Sequence, residues 1–206
     1  MNNRPSKVLR RRLLIIVWLC IAWNVLETSV GVGAGIIAHS ISLTGFGLDS
    51  LIELFSAGVV LWRFFPPAPR THHGEPGREA TSLRLIAASF FVLAIYVGGQ
   101  SVADLVHHTH PADSPVGIAL AIASLFISTT LGLAELRIGR AMHNPTVRAD
   151  SVETLVCGCL AGILLLGLGC HELLNWSWAD PVGGLLMVPF LIWQAYRVWK
   201  EAPARI

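Results

Sequence analysis

The chain has 206 residues, of which 53% are hydrophobic and only 14% charged, with 19 glycines besides. Soluble domains average about 25% charged residues, and the mean hydropathy of +0.61 points the same way. This balance argues against a soluble enzyme, a nucleic-acid binder and a disordered regulator, and a net charge of +2 says little as a total.

A membrane helix needs about 20 mainly apolar residues. Six segments qualify: 13–37, 41–63, 84–106, 115–137, 148–170 and 178–198. The first follows Arg10, Arg11 and Arg12, as a signal peptide would. Its apolar run is too long for such a segment, however, and it contains Glu27 and no clear small-residue cleavage site. It reads as a retained helix. The connection from about 64 to 83 holds Pro66, Pro67, Pro69 and Pro76 with His72 and His73, and reads as a loop. Pro111 and Pro115 punctuate the connection after the third helix, and Asn144-Pro145 the turn before the fifth. Trp176 and Trp178 fit one aromatic belt, and Trp62, Trp193 and Trp199 the other. Asp180-Pro181 looks like a helix start, with aspartate as cap and proline in the first turn. The many helix glycines, Gly31, Gly33, Gly35, Gly45 and Gly47 among them, suit close helix approach in lipid.

The basic residues set an orientation. All 15 Lys and Arg lie before helix 1, between helices 2 and 3, between helices 4 and 5, or after helix 6, counting the residues at those helix ends. The other three connections have none. The positive-inside rule puts both termini and the two basic connections in the cytoplasm. The expected fold is therefore an all-α, six-helix transmembrane bundle in the cell (inner) membrane, with both termini cytoplasmic. Its parts are a basic segment 1–12, a transport domain 13–198 and a short tail 199–206.

The acids are placed where acids are costly. An ionisable group at a helix centre costs about 2.5–3.5 kcal/mol on insertion scales. Yet helix 1 carries Glu27, helix 2 Asp49 and Glu53, and helix 5 Asp150 and Glu153. Asp49 and Glu53 are one turn apart on one face, and Asp150, Glu153 and Cys157 share a face of helix 5. At about 1.5 Å per residue, Glu53 and Cys157 both fall near the midplane. Carboxylates and a thiolate there could form a four-ligand site, and zinc accepts such donors. The plainer alternative is that Asn24, Ser50, Ser56 and Thr154 satisfy the acids by hydrogen bonding. That explains one acid better than Asp49, Glu53 and Glu153 together.

The remaining polar residues read more simply. Asp150 lies next to Arg148, where a local ion pair or cap is expected, with a secondary or proton-path role also open. Glu27, at about the level of Asp49, could serve an access path or carry a proton. Glu135, just before Arg137, reads as an interfacial charge. The histidines of the loops (His107, His108 and His110 with Asp104 and Asp113 on one side, His72 and His73 on the other) could hold metal loosely, but read more simply as solvated polar residues. Cys20, Cys159 and Cys170 read as small hydrophobes. No nucleophile elbow, phosphate-cradling loop or HExxH stretch is present, so the sequence carries no enzyme signature.

These residues resemble a known family. Ser40-Ile41-Ser42-Leu43 followed by Leu48-Asp49-Ser50-Leu51-Ile52-Glu53 is similar to the second-helix motif of the cation diffusion facilitator (cation efflux) family. Arg148-Ala149-Asp150-Ser151-Val152-Glu153-Thr154 is similar to that family's ADxxHxxxD stretch. Asn24 and Asp180-Pro181 also fit. The resemblance implies metal ligands at Asp49 and Glu53, at Glu153 where histidine is usual, and at Cys157 where aspartate is usual. It also implies export of zinc or a similar divalent ion from the cytoplasm in exchange for protons. Only about eight residues follow helix 6, where the family usually carries a cytoplasmic domain. The expectation is a short, membrane-only branch.

Two functions follow. One is a divalent-cation/proton antiporter, with Zn2+ as cargo, no resident cofactor, and metal, protons and lipid as partners; nucleic acid is not expected, and a homodimer is compatible. The other is a non-transporting membrane subunit or metal-binding scaffold of the same fold.

Overall fold

The computed structural model describes residues 7–64, 76–107, 112–142, 145–174 and 176–201. They form six helices: α1 Lys7–Ala38, α2 Ile41–Phe64, α3 Pro76–His107, α4 Pro115–Ala141, α5 Pro145–Leu174 and α6 Ala179–Glu201. No strand occurs among the described residues. The chain is an all-α membrane bundle. α1 begins at Lys7 rather than 13, which brings Arg10, Arg11 and Arg12 into its first turns. α3 begins at Pro76 rather than 84, since proline at the first helical position lacks only a donor that would have had no partner. His72, His73, His108, His110 and Asn144 lie outside the described residues.

Polarity runs opposite to that of a soluble protein. Ile37, Leu166 and Leu173 are 80%, 70% and 84% exposed, whereas Glu27 and Glu135 are 0% exposed. An apolar exterior with the acids turned inward is what lipid demands, because a charge facing hydrocarbon has no partner. Among the described residues, four helices (α1, α3, α4 and α5) are long and apolar enough to cross a membrane by themselves. α2 packs against α1, α3, α5 and α6, which shelters its acids. The core runs through Phe46 of α2, Phe90 of α3, Leu160 and Leu164 of α5, and Met187 and Leu191 of α6.

The helices associate chiefly as α1 with α2, α3 with α6 and α4 with α5. At one end, Leu13 and Val17 of α1 pack with Ile138 of α4 and Val147 of α5. Arg84, Arg197 and Lys200 lie there over Trp199, Trp193 and Tyr196 respectively. At the far end, the Ala112 N–H donates to the Ala38 carbonyl over 2.8 Å, and His171 lies 3.7 Å from Asp113. Trp176 and Trp178 stack there with centroids 5.2 Å apart. The described basic residues of the helix ends thus gather at one end of the bundle, as the sequence pattern requires.

The turn between α1 and α2 explains how the site is placed. His39 takes a left-handed φ of 52°. Its N–H donates to Ile36, and that of Ser40 to Gly35, the paired bonds of a Schellman helix end. α2 therefore folds straight back along α1. The first turn of α2 is held from 140 residues away. Asp180 accepts from Ser40 Oγ over 2.7 Å, from the Ile41 N–H over 3.1 Å, and from Ser42 Oγ. The expectation that Asp180 caps its own helix is corrected: it lies in the first turn of α6, and its carboxylate caps α2.

Candidate metal centre

Three buried side chains meet in the middle of the bundle. Asp49 and Glu53, one turn apart on α2, and Cys157 of α5 each offer a ligand atom, and these atoms lie within 4.8 Å of one another. Asp49 is 1% exposed, Glu53 4% and Cys157 0%. Cys157 and Glu53 each lie 12 residues from the first residue of their helix, about 18 Å along the axis. Because α2 and α5 start at opposite ends, that equal depth makes the two residues meet.

The plainer hydrogen-bonding explanation fails at these acids. Neither oxygen of Asp49 has a protein hydrogen-bond partner, and nor does Oε1 of Glu53. Thr154 is turned away and donates to the Asp150 carbonyl over 3.3 Å. Ser50 donates to Glu27 over 3.3 Å and also reaches the Phe46 carbonyl. Buried carboxylate oxygens without donors are costly, and a cation removes that cost. The reach of three oxygen or sulfur atoms within 4.8 Å suits a single ion of zinc size, bound at about 2.0–2.3 Å from each.

The other acids take different places. Glu153 is buried, 5% exposed, one turn towards the basic end from Cys157, and is not one of the compact trio. Glu27 of α1 is 0% exposed and touches Cys157, with Sγ to Oε2 at 3.9 Å. Asp150 sits two turns below Cys157, where its neighbours are Glu135 of α4 and the Arg197 charge of α6. The expected pairing with Arg148 gives way to these contacts; the Arg148 stem instead lies against Gly139. Glu135 is not interfacial. It is fully buried and faces Asp150.

The sequence pattern gave no reason to turn Glu135 inward, although one signal exists. Two residues along a helix are about 200° apart, so Glu135 and Arg137 cannot share a face. Among the cysteines, Cys20 and Cys157 are buried, Cys170 is partly so, and Cys159 is exposed on the outer surface.

Six helices, an apolar exterior and a compact carboxylate–thiolate cluster inside define the class: a multi-pass membrane protein equipped to handle a cation. The chain belongs to the cation efflux family, whose transmembrane-domain pattern matches residues 17–205. It is 27% identical over 173 residues to an uncharacterized transporter of Synechocystis, covering 82% of this chain and 56% of that protein. It is 25% identical over 166 residues to the cation-efflux pump FieF of Salmonella typhi, covering 79% of this chain and 55% of the pump. Transmembrane protein 163 of Xenopus laevis is 23% identical over 163 residues, with 79% and 57% covered. The chain spans little more than half the length of these three relatives.

Proposed function

We propose that the chain is a divalent metal cation transporter of the cell membrane that exports a zinc-like ion from the cytoplasm in exchange for protons. The observation that carries this reading is the trio Asp49, Glu53 and Cys157, buried together and short of protein donors. Glu153, the family-matched position on α5, lies one turn towards the basic end, where it can pass the ion along or join its ligands. With the basic end cytoplasmic, by the positive-inside rule, Asp150 and Glu153 form an acidic approach from that side. Similarity to a cation-efflux pump supports transport, and the mixed oxygen and sulfur donors favour zinc or cadmium over harder ions.

Ligands must lose their protons to bind metal. Protons therefore compete with the ion, and uptake of protons by the carboxylates and the thiolate releases it. Metal affinity should fall as pH falls, by about tenfold per pH unit for each proton displaced. The test is zinc-dependent proton flux in vesicles carrying the wild type or Asp49→Ala. Flux lost in the variant supports the antiporter. Equal flux from both would overturn the role of Asp49, and no zinc-dependent flux from the wild type would leave the chain as a scaffold of the same fold.

A further inference from the structure

Three ligands leave one position of a tetrahedral ion open, and motif matching with the family would fill it with Glu153. Contacts made by α1 point to a second candidate. Glu27 of α1 is fully buried, and its Oε2 lies 3.9 Å from Cys157 Sγ and 3.3 Å from the hydroxyl of Ser50, the residue next to Asp49. Its Oε1 has no hydrogen-bond partner. Sulfur and oxygen ligands of one tetrahedral zinc, at about 2.3 and 2.0 Å from the ion, are about 3.5 Å from each other. The Glu27–Cys157 separation is already close to that of two ligands sharing an ion. Like Glu153, Glu27 stands outside the group whose ligand atoms all lie within 4.8 Å of one another, so its carboxylate closes in on the ion when it binds.

The sequence shows why Glu27 arrives there. Glu27, Gly31 and Gly35 recur every four residues and so form one stripe along α1. Opposite them on α2 stand Ser50, Gly47 and Thr44, in antiparallel register. A Cβ on Gly47 would lie 2.6 Å from the Val32 nitrogen, and one on Gly31 would lie 3.0 Å from the Gly47 Cα. At Gly35 it would run into Thr44. Only glycine permits this backbone-to-backbone seam, and the seam ends one turn before Glu27. The side chain is thereby delivered beside Asp49 and across to Cys157.

We infer that Glu27 is the fourth ligand of the transported ion, so that α1, α2 and α5 together hold the cargo. This rests on the metal-site reading above. Glu153 is then a residue of the approach rather than of the bound state.

The experiment is titration of the purified full chain in detergent with Co2+, whose spectrum reports two things separately. A thiolate-to-cobalt charge-transfer band marks Cys157, and the intensity of the visible bands marks four-coordination. Glu27→Gln should bind about 100-fold more weakly, the upper end of what outer partners of a metal site cost. At saturation it should keep the charge-transfer band and lose the four-coordinate intensity. Glu153→Gln should stay close to wild type in both. Thermal unfolding of the apo proteins checks that the variants fold, and Glu27→Asp, with a shorter stem, decides on the same scale if Glu27→Gln does not.

Wild-type affinity and spectrum in Glu27→Gln, with binding lost in Asp49→Asn, overturn the role of Glu27 and leave the trio standing. Unchanged binding in Asp49→Asn, or no charge-transfer band in the wild type, removes the metal site itself and the inference with it.

Discussion

Asp49 and Asp180 are the same residue type at the same burial, each 1% exposed, and both belong to the neighbourhood of α2. Their surroundings are opposite. Asp180 receives two hydroxyls and a backbone N–H at the first turn of α2. Asp49, two turns further along, receives no donor on either oxygen. Burial alone therefore does not separate an acid satisfied by the fold from one left bare. The supply of donors does. A carboxylate whose lone pairs are filled by the fold holds helices together, and one left bare is available to an ion.

This contrast can be broken by substitution. Asp180→Ala should have the largest effect on folding. It leaves Ser40, Ser42 and the Ile41 N–H without their acceptor and should cost about 3–5 kcal/mol of stability, as loss of one partner from a buried charged network does. Thermal unfolding in detergent measures this, and a melting curve equal to wild type would mean the contact is not structural. Asp49→Asn should behave in the opposite way. Zinc-dependent flux should drop at least about 100-fold, while the apo protein melts no lower than wild type, because no bond made by the fold is removed. A clear loss of apo stability would place Asp49 in the same role as Asp180.

Two smaller changes sharpen the comparison. Gly47→Ala puts a methyl group against the Val32 and Gly31 backbone. Overpacking of this kind costs about 1–3 kcal/mol, and metal affinity should fall with it as α1 moves away; isothermal titration with zinc reads the second effect. Ser50→Ala removes one hydroxyl bond to Glu27, worth about 1 kcal/mol. The expected result is a several-fold weaker zinc affinity with little change in unfolding temperature, and a large stability loss would count against it.

The helices and the depth of the site were legible in the sequence for a simple reason. Runs of about 20 apolar residues identify spans, and counting residues from the span ends locates Glu53 and Cys157 at one level. What could not be read was the rotation of each helix about its axis. In a soluble protein, polar and apolar faces fix that rotation. Here lipid-facing and core-facing positions are both apolar: Leu166 is 70% exposed and Leu164 fully buried, with nothing in their chemistry to separate them. Glu135 therefore read as an outward charge, and Glu27 as a residue at the right level without a known direction. The Asp180 contacts were illegible for another cause. Aspartate before proline at a helix start fits a local cap so well that a partner 140 residues away leaves no mark in the local pattern.

The glycine seam has a mechanical consequence. Where backbone rests on backbone, two helices have no flexible side chains between them to absorb a tilt, so α1 and α2 behave as one stiff plate. Glu27, Asp49 and Glu53 then ride together on that plate, and Cys157 stands on the opposing α5. Any movement that opens the cluster must shear along the boundary between plate and α5. The sulfur is accordingly the contact expected to part first, and a bridge engineered across that boundary, rather than one within the plate, is the modification that should lock the protein in a single state.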